Sequence, residues 1–415
     1  MKLHTPIRHF KLSNGLLVHY MHAPDMNTCC ISATVHTGSS HDPKGRYGLA
    51  HFVEHMSLAG NEEYPKLARN AALEARSILH NAYTDHTATN YHYFGVSTHV
   101  KFMIKMMELD LLSPTFNPED VETERTVIES ELKMRVDDPS TNFFDKVITY
   151  ALNGSSYSRP IIGNLSGIKA ITRHDLRDYT TRRHVANNIE ILIVGNFDPD
   201  AAMKQLEGWH LETGRRTTGK GTLYQDKTAT PNMTLPALQS SWFSSCHLHS
   251  YNEADNHELM HTHDAAVDIF SAGTSCRMWT TLRENKGLCY TCGAYDIEYP
   301  SYSMIATYVN CSNDNLHTVK ETLQALIDKY ICKGVTKTEL ENWKSRLYNR
   351  KMIAADNAMI VANQYTRDSI IHKHEWQTLE EQVEGINNVT VDQVNDMIPR
   401  IFNDIKVVKC TLTSE

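Results

Sequence analysis

Gly48-Leu49-Ala50-His51-Phe52-Val53-Glu54-His55-Met56-Ser57-Leu58 is an apolar stretch of helical spacing with two histidines and a glutamate set into it. His51 and His55 stand at i and i+4. They share one helix face, so both imidazoles can point at a single ion. Glu54 is one residue from His55 and three from His51. It can reach a water on that ion without being a ligand itself. Zinc lowers the pKa of its bound water towards neutrality, and a nearby carboxylate can take the proton. A catalytic zinc also needs a third protein ligand and an open fourth position. The chain has 23 histidines, so such a five-residue pattern also arises by chance, and the rest of the sequence has to decide.

Pro118 to Val136 reads as a second helix, with proline at its start and acids in its first turn. It carries Glu124 and Glu131, two helical turns apart and therefore on one face. One of them could ligate the metal while the other orients a ligating histidine. The competing reading is a solvated acidic face.

Glu131 lies 76 positions after His55 and closes the segment Glu124-Arg125-Thr126-Val127-Ile128-Glu129-Ser130-Glu131, of the form ERxxIxxE. With the inverted HxxEH motif this resembles the pitrilysin or M16 peptidases. The resemblance implies one zinc per chain, held by His51, His55 and Glu131, with Glu54 as general base. Glu124 is then the carboxylate that orients a ligating histidine. Asn81-Ala82-Tyr83-Thr84, followed by Thr87 and Tyr91, is similar to the family's edge strand. That strand pairs with the backbone of an extended peptide, so affinity comes without strict sequence demand. Taken by itself, it is a short β-prone stretch.

Leu282-Arg283-Glu284-Asn285-Lys286-Gly287-Leu288-Cys289-Tyr290 is similar to the family's C-terminal signature, in which an arginine and a tyrosine seven residues later face the zinc from the other domain. Arg283 and Tyr290 have that spacing. A guanidinium fork and a phenol are suitable donors to a substrate carbonyl and to a tetrahedral oxyanion. The bland alternative is an arginine near a helix end and a tyrosine in a half-buried strand. The glycine-rich loop of some family members is missing, although Phe270-Ser271-Ala272-Gly273-Thr274 stands at a similar turn.

The 415 residues suit two domains of about 200 each. Strands are expected near 15–20, 30–35, 90–98, 188–194, 239–246, 287–295, 302–310 and 405–412. Helices are expected at 48–58, 64–80, 100–112, 118–136, 316–330, 337–354 and 391–402. Residues 212–236 are rich in Thr, Gly, Lys and Arg and poor in apolar residues. The expected division is a zinc-binding domain at 1–215, a linker at 216–236 and a C-terminal domain at 237–415 that carries the Arg/Tyr signature. The fold class is α+β. The resemblance implies two similar α/β sandwich domains of the metallohydrolase type found in two-domain processing peptidases.

A net charge of −8 with no basic block argues against nucleic acid as a partner. No run approaches the roughly 18 apolar residues of a membrane span, and the N-terminus shows no signal-peptide core. Nine scattered cysteines read as reduced thiols, so a cytoplasmic location is expected. The expected activity is zinc-dependent endoproteolysis of peptides or unfolded segments in an enclosed chamber. The implied assembly is a homodimer, or a heterodimer with an inactive homologue. The alternative is a catalytically silent peptide-binding or scaffold subunit. A small-molecule zinc enzyme would leave the second domain without a purpose. A rival motif, His257-Glu258-Leu259-Met260-His261, fits H-E-x-x-H, with Glu284 imaginable as its third ligand. Its polar setting, near His247, His249 and His263, reads instead as a surface histidine cluster.

Overall fold

The computed structural model describes residues 5–216, 232–234, 240–249, 257–299, 302–372, 376–403 and 406–413. The side chains of His257, Glu258, Ile371, His372 and Lys406 lie outside the description. The expected linker, 216–236, is therefore largely undescribed. The chain forms two compact units. One comprises Met1–Met134, Arg159–Gly219 and Lys351–Glu380, and the other Arg135–Ser158, Lys220–Arg350 and Glu381–Glu415. Each unit takes segments from both halves of the chain.

The first unit is built on a six-stranded sheet of β1 (Arg8–Lys11), β2 (Leu17–His22), β3 (Thr28–Val35), β4 (Leu79–Thr84), β5 (Thr89–Val96) and β6 (Ile189–Gly195), in the order β1-β2-β6-β3-β5-β4. Only β2 and β6 pair in parallel. β3 is apolar and β-branched along its length because both its faces are covered. Alternate residues Cys29, Ile31, Ala33 and Val35 pack with Met103, Ile104 and Met107. Cys30, on the opposite face, packs with Leu192, Val194, Val361 and Tyr365. The helix Ala358–His372, which closes that face, was not expected from the sequence. Its Thr366 hydroxyl lies 2.9 Å from Ser32 Oγ.

The second unit repeats the plan. Its sheet joins β7 (Asn232–Thr234), β8 (Ser241–His249), β9 (Thr291–Tyr299), β10 (Tyr302–Cys311) and β11 (Lys406–Thr413), in the order β7-β11-β8-β10-β9. One face packs on Phe270, Leu323, Trp343, Ile398 and Phe402. The other packs on Phe143, Val147 and Ala151 of the helix Pro139–Ala151.

One expected helix is shorter than the periodicity suggests. The stretch 64–80 is helical only over Lys66–Glu74, and Leu79 already belongs to β4. Ser77 adopts φ 50°, and Ile78 N donates to Leu73 O at 3.1 Å, a 6→1 closure that ends the helix. No glycine marks this stop in the sequence. All nine cysteines are free thiols. Among the described residues no helix is long and apolar enough to cross a membrane.

Candidate metal centre

The centre is built on α1 (Leu49–Ser57), α2 (Lys66–Glu74), α3 (Val100–Leu112) and α4 (Pro118–Asp137), with β4 alongside. The apolar face of α1, from Leu49 through Phe52, Val53 and Met56, packs with Val121 and Ile128 of α4 and with Ile168, Ile171 and Leu176. Arg125 of α4 donates to the carbonyls of Ile168 and Ile171. Its guanidinium lies 5.3 Å over the Phe52 ring. The ERxxIxxE segment therefore locks α4 onto α1 through its arginine and isoleucine and leaves its two terminal glutamates for the site.

The start of α1 is fixed by two devices. The Asp42 carboxylate accepts from the backbone N–H of Gly48 at 2.7 Å, Leu49 at 3.1 Å and Ala50 at 3.0 Å. It satisfies three of the donors that a helix N-terminus leaves open. Gly48 itself has φ +99°, and a Cβ there would sit 2.5 Å from the Ile162 carbonyl oxygen. A left-handed conformation costs a substituted residue about 1–2 kcal/mol before any clash. Gly48→Ala is expected to lower stability by at least about 2 kcal/mol, read as a drop in urea midpoint with unchanged slope. A wild-type midpoint would show that this turn tolerates a side chain.

His51 and His55 project from α1 with ring centroids 4.6 Å apart. Glu131 of α4 approaches both, its carboxylate 3.8 Å from His51 Nε2 and 3.7 Å from His55 Nε2. The three donor atoms lie within 4.8 Å of one another. Two imidazole nitrogens and one carboxylate oxygen at this spacing suit zinc and leave a fourth position open. His55 Nδ1 is 3.2 Å from Glu124. With its proton on Nδ1 and donated to that carboxylate, His55 would present the Nε2 lone pair to an ion held with His51 and Glu131. Glu124 in turn accepts from Lys66 Nζ of α2. Its carboxyl is held below the usual range, first by the His55 hydrogen bond and then, against burial, by Lys66.

Glu54 is buried and hydrogen-bonded to Thr84, whose hydroxyl donates at 2.5 Å. Burial pushes its carboxyl above the ordinary range, the Thr84 bond and His55 pull it down, and Glu131 pushes it up. A raised carboxyl is the direction that suits proton acceptance near neutrality. Glu54 lies close enough to feel His55 and Glu131 but is not one of the three side chains whose donor atoms cluster, in keeping with a base rather than a ligand.

Behind the centre lies a charged network absent from the sequence reading. Arg69 of α2 and Asp110 of α3 are both fully buried. The guanidinium donates to the carboxylate from Nε at 3.0 and 2.9 Å and from Nη2 at 2.7 Å. Tyr93 and Asn61 donate to the same carboxylate. Asn61 follows α1, and its side-chain oxygen accepts from the backbone of Glu63 and Tyr64 just before α2. The network thus fixes the helix that carries Lys66 to Glu124. Lys66, Asp42, Arg69 and Asp110 lie outside any motif, so no sequence signal marked them.

β4 is the edge strand of its sheet. Asn81 and Tyr83 are exposed, whereas Ala82 and Thr84 are buried. Thr84, expected only as part of a peptide-binding strand, also binds the candidate base. Arg283 and Tyr290 meet in the second unit, where the guanidinium lies 5.3 Å over the Tyr290 ring and 4.2 Å over Trp279. Arg283 sits in a π-helical turn, Trp279–Asn285, a form that recurs at functional sites. Tyr290 is 77% exposed.

The rival motif is corrected in one respect. The side chains of His257 and Glu258 lie outside the description, but His247, His249, His261 and His263 are buried, so this is not a surface cluster. β8 is an inner strand, and the helix Pro139–Ala151 and the helix Val391–Asn403 pack against it. Burial pushes His247 down to about 4, while its bond to the Phe402 carbonyl opposes the shift. Glu284 is engaged elsewhere, accepting from Trp279 Nε1 at 2.9 Å.

Residues 17–165 match the family model "Insulinase (Peptidase family M16)", and residues 170–347 match "Peptidase M16 inactive domain". The uncharacterized zinc protease YmxG of Bacillus subtilis is 24% identical over 405 residues, covering 96% of each chain. A protease from Helicobacter pylori superposes with a TM-score of 0.90 at 17% identity, covering 99% of each chain. A structure from Pseudomonas fluorescens, described as a peptidase M16 inactive domain, gives 0.88 at 16% identity, covering 98% of this chain and 97% of that one. Two family models in series, over a fold shared end to end with M16-like proteins and beside relatives named zinc proteases, show that this chain belongs to peptidase family M16.

Proposed function

We propose that the chain is a zinc-dependent endopeptidase that cleaves extended peptides or unfolded segments. The observation that supports this most directly is the convergence of His51 and His55 on α1 with Glu131 on α4. Zinc held there would polarise a carbonyl and acidify water. Glu54 takes the proton from the attacking water and returns it to the leaving amine. Glu124 and Lys66 keep His55 in its ligating tautomer. β4 offers its free edge to the peptide backbone, and the Thr84–Glu54 hydrogen bond ties the end of that edge to the base. Arg283 and Tyr290 are proposed as donors to the substrate carbonyl and the oxyanion. An enclosed chamber formed by paired chains, as a homodimer or with an inactive homologue, would limit access to unfolded substrates. Nine free thiols suit a reducing, cytoplasmic-type compartment.

The match of residues 170–347 to an M16 inactive domain favours a second reading, a silent subunit. The intact ligand and base set on α1 and α4 weighs against it. Metal analysis combined with cleavage of a quenched peptide separates the two. The wild type is expected to cleave with about one zinc at this centre. Glu131→Gln is expected to weaken zinc by at least about tenfold and to lose cleavage with it. Unchanged zinc affinity in Glu131→Gln would remove that carboxylate from the ligand set, and an inert, zinc-free wild type would favour the silent subunit.

A further inference from the structure

One other group of ligand-type side chains among the described residues lies close enough to share an ion. His263, Asp296 and Glu298 each offer one donor atom, and the three atoms lie within 4.8 Å of one another. All belong to the second unit, and none takes part in the centre on α1 and α4.

The placement follows from the fold. Asp296 and Glu298 alternate along β9, so both carboxylates stand on one face of the sheet. The ladder sets Asp296 opposite Ile305 and Glu298 opposite Ser303, with His247 and His249 opposite those residues on β8. His263 comes to this group from the helix His257–Ser271. Its Nδ1 is 3.6 Å from Asp296 Oδ2, and its Nε2 is 3.4 Å from His249 Nε2. His263 and His249 are both fully buried, while the Asp296 side chain keeps 21% of its surface and opens the group to solvent.

Ligands about 2.1 Å from a tetrahedral ion stand about 3.4 Å apart. The His263–Asp296 spacing fits that figure as well as the 3.7 and 3.8 Å spacings at the first centre do. One imidazole nitrogen with two carboxylates gives a set of charge −2, matched to a divalent ion that accepts mixed nitrogen and oxygen donors. When His263 donates from Nε2 to His249, Nδ1 is deprotonated and turns its lone pair towards the carboxylates. A neighbour that takes the second ring N–H is the usual support of a ligating histidine.

We propose that His263, Asp296 and Glu298 form a second metal site for a divalent transition-metal ion, zinc being the probe that tests it, with His249 as positioning residue. Such an ion would staple the helix His257–Ser271 to β9, the edge strand of its sheet, which begins immediately after Tyr290.

The test uses the full chain stripped of metal and titrated with Zn2+, with bound metal counted after gel filtration. His51→Ala with His55→Ala removes the first centre and is expected to retain one equivalent. Zinc at a hundredfold excess over its Kd is expected to raise the unfolding midpoint of that variant by about 5 °C. Adding Asp296→Asn with Glu298→Gln, near-isosteric changes at partly exposed positions, is expected to weaken the remaining zinc at least about tenfold and to abolish the midpoint shift. Circular dichroism checks that each variant is folded. Cobalt(II) absorption in the His51/His55 variant gives a second measurement, expected to vanish with the carboxylate changes. Loss of all zinc with His51→Ala and His55→Ala alone would overturn the site, as would zinc binding indifferent to Asp296→Asn and Glu298→Gln.

Discussion

Glu54→Gln is expected to lower kcat/KM for a quenched peptide by about 10³-fold while leaving zinc content and fold unchanged. General-base catalysis is worth about 10² to 10⁴ in rate, and this carboxylate has no neighbour placed to substitute for it in the proposed scheme. The substitution is mild in structural terms. The amide oxygen of glutamine can still accept from Thr84, which donates to Glu54 at 2.5 Å. His51, His55 and Glu131 are untouched, so the ion stays. The expected signature is therefore an intact metalloprotein that binds peptide and turns it over slowly. Steady-state kinetics with metal analysis on the same sample provides the check. Wild-type turnover in Glu54→Gln would move the base elsewhere, and loss of zinc would show that Glu54 contributes to ligation.

The largest expected effect on stability lies behind the centre. Asp110→Ala removes the anion from a guanidinium with no solvent exposure. Breaking a buried pair by deleting one partner costs about 3–5 kcal/mol, because the remaining charge is left uncompensated. Here the deletion also strips an acceptor from Tyr93 and Asn61. Urea unfolding is expected to show the loss as a lower midpoint. Combining Asp110→Ala with Arg69→Met should recover much of it, since the stranded charge is then gone. A single-variant cost below about 1 kcal/mol, or no recovery in the double variant, would contradict this account. Because the pair fixes α2, the single variant should also loosen the Lys66–Glu124–His55 chain and weaken zinc.

The clustering of the candidate ligands was legible in the sequence because they are local to two helices. A spacing of four puts His51 and His55 on one face whatever the tertiary context, and a spacing of seven does the same for Glu124 and Glu131. The resemblance then assigned the roles, and the structure brings the same side chains together. The apolar run expected as a strand at 30–35 lies within β3, and the stretch likened to an edge strand lies in β4 at the edge of its sheet, whereas the strand order and the double cover of β3 appear only in the fold.

What the sequence could not show depends on contacts between distant segments. Lys66 is an ordinary surface-type lysine until α2 is docked beside α4. Arg69 and Asp110 are 41 residues apart and become a pair only when α2 and α3 pack. The helix Ala358–His372 has mixed polarity and no local signal of its destination, yet it covers a sheet whose strands lie some 160 residues or more earlier in the chain. The second histidine group looked superficial because its neighbours in sequence are polar, whereas its neighbours in space are the strands and helices that bury it. Periodicity reports which face of an element is apolar. Only packing decides what that face meets, and so which charges end up paired in the interior.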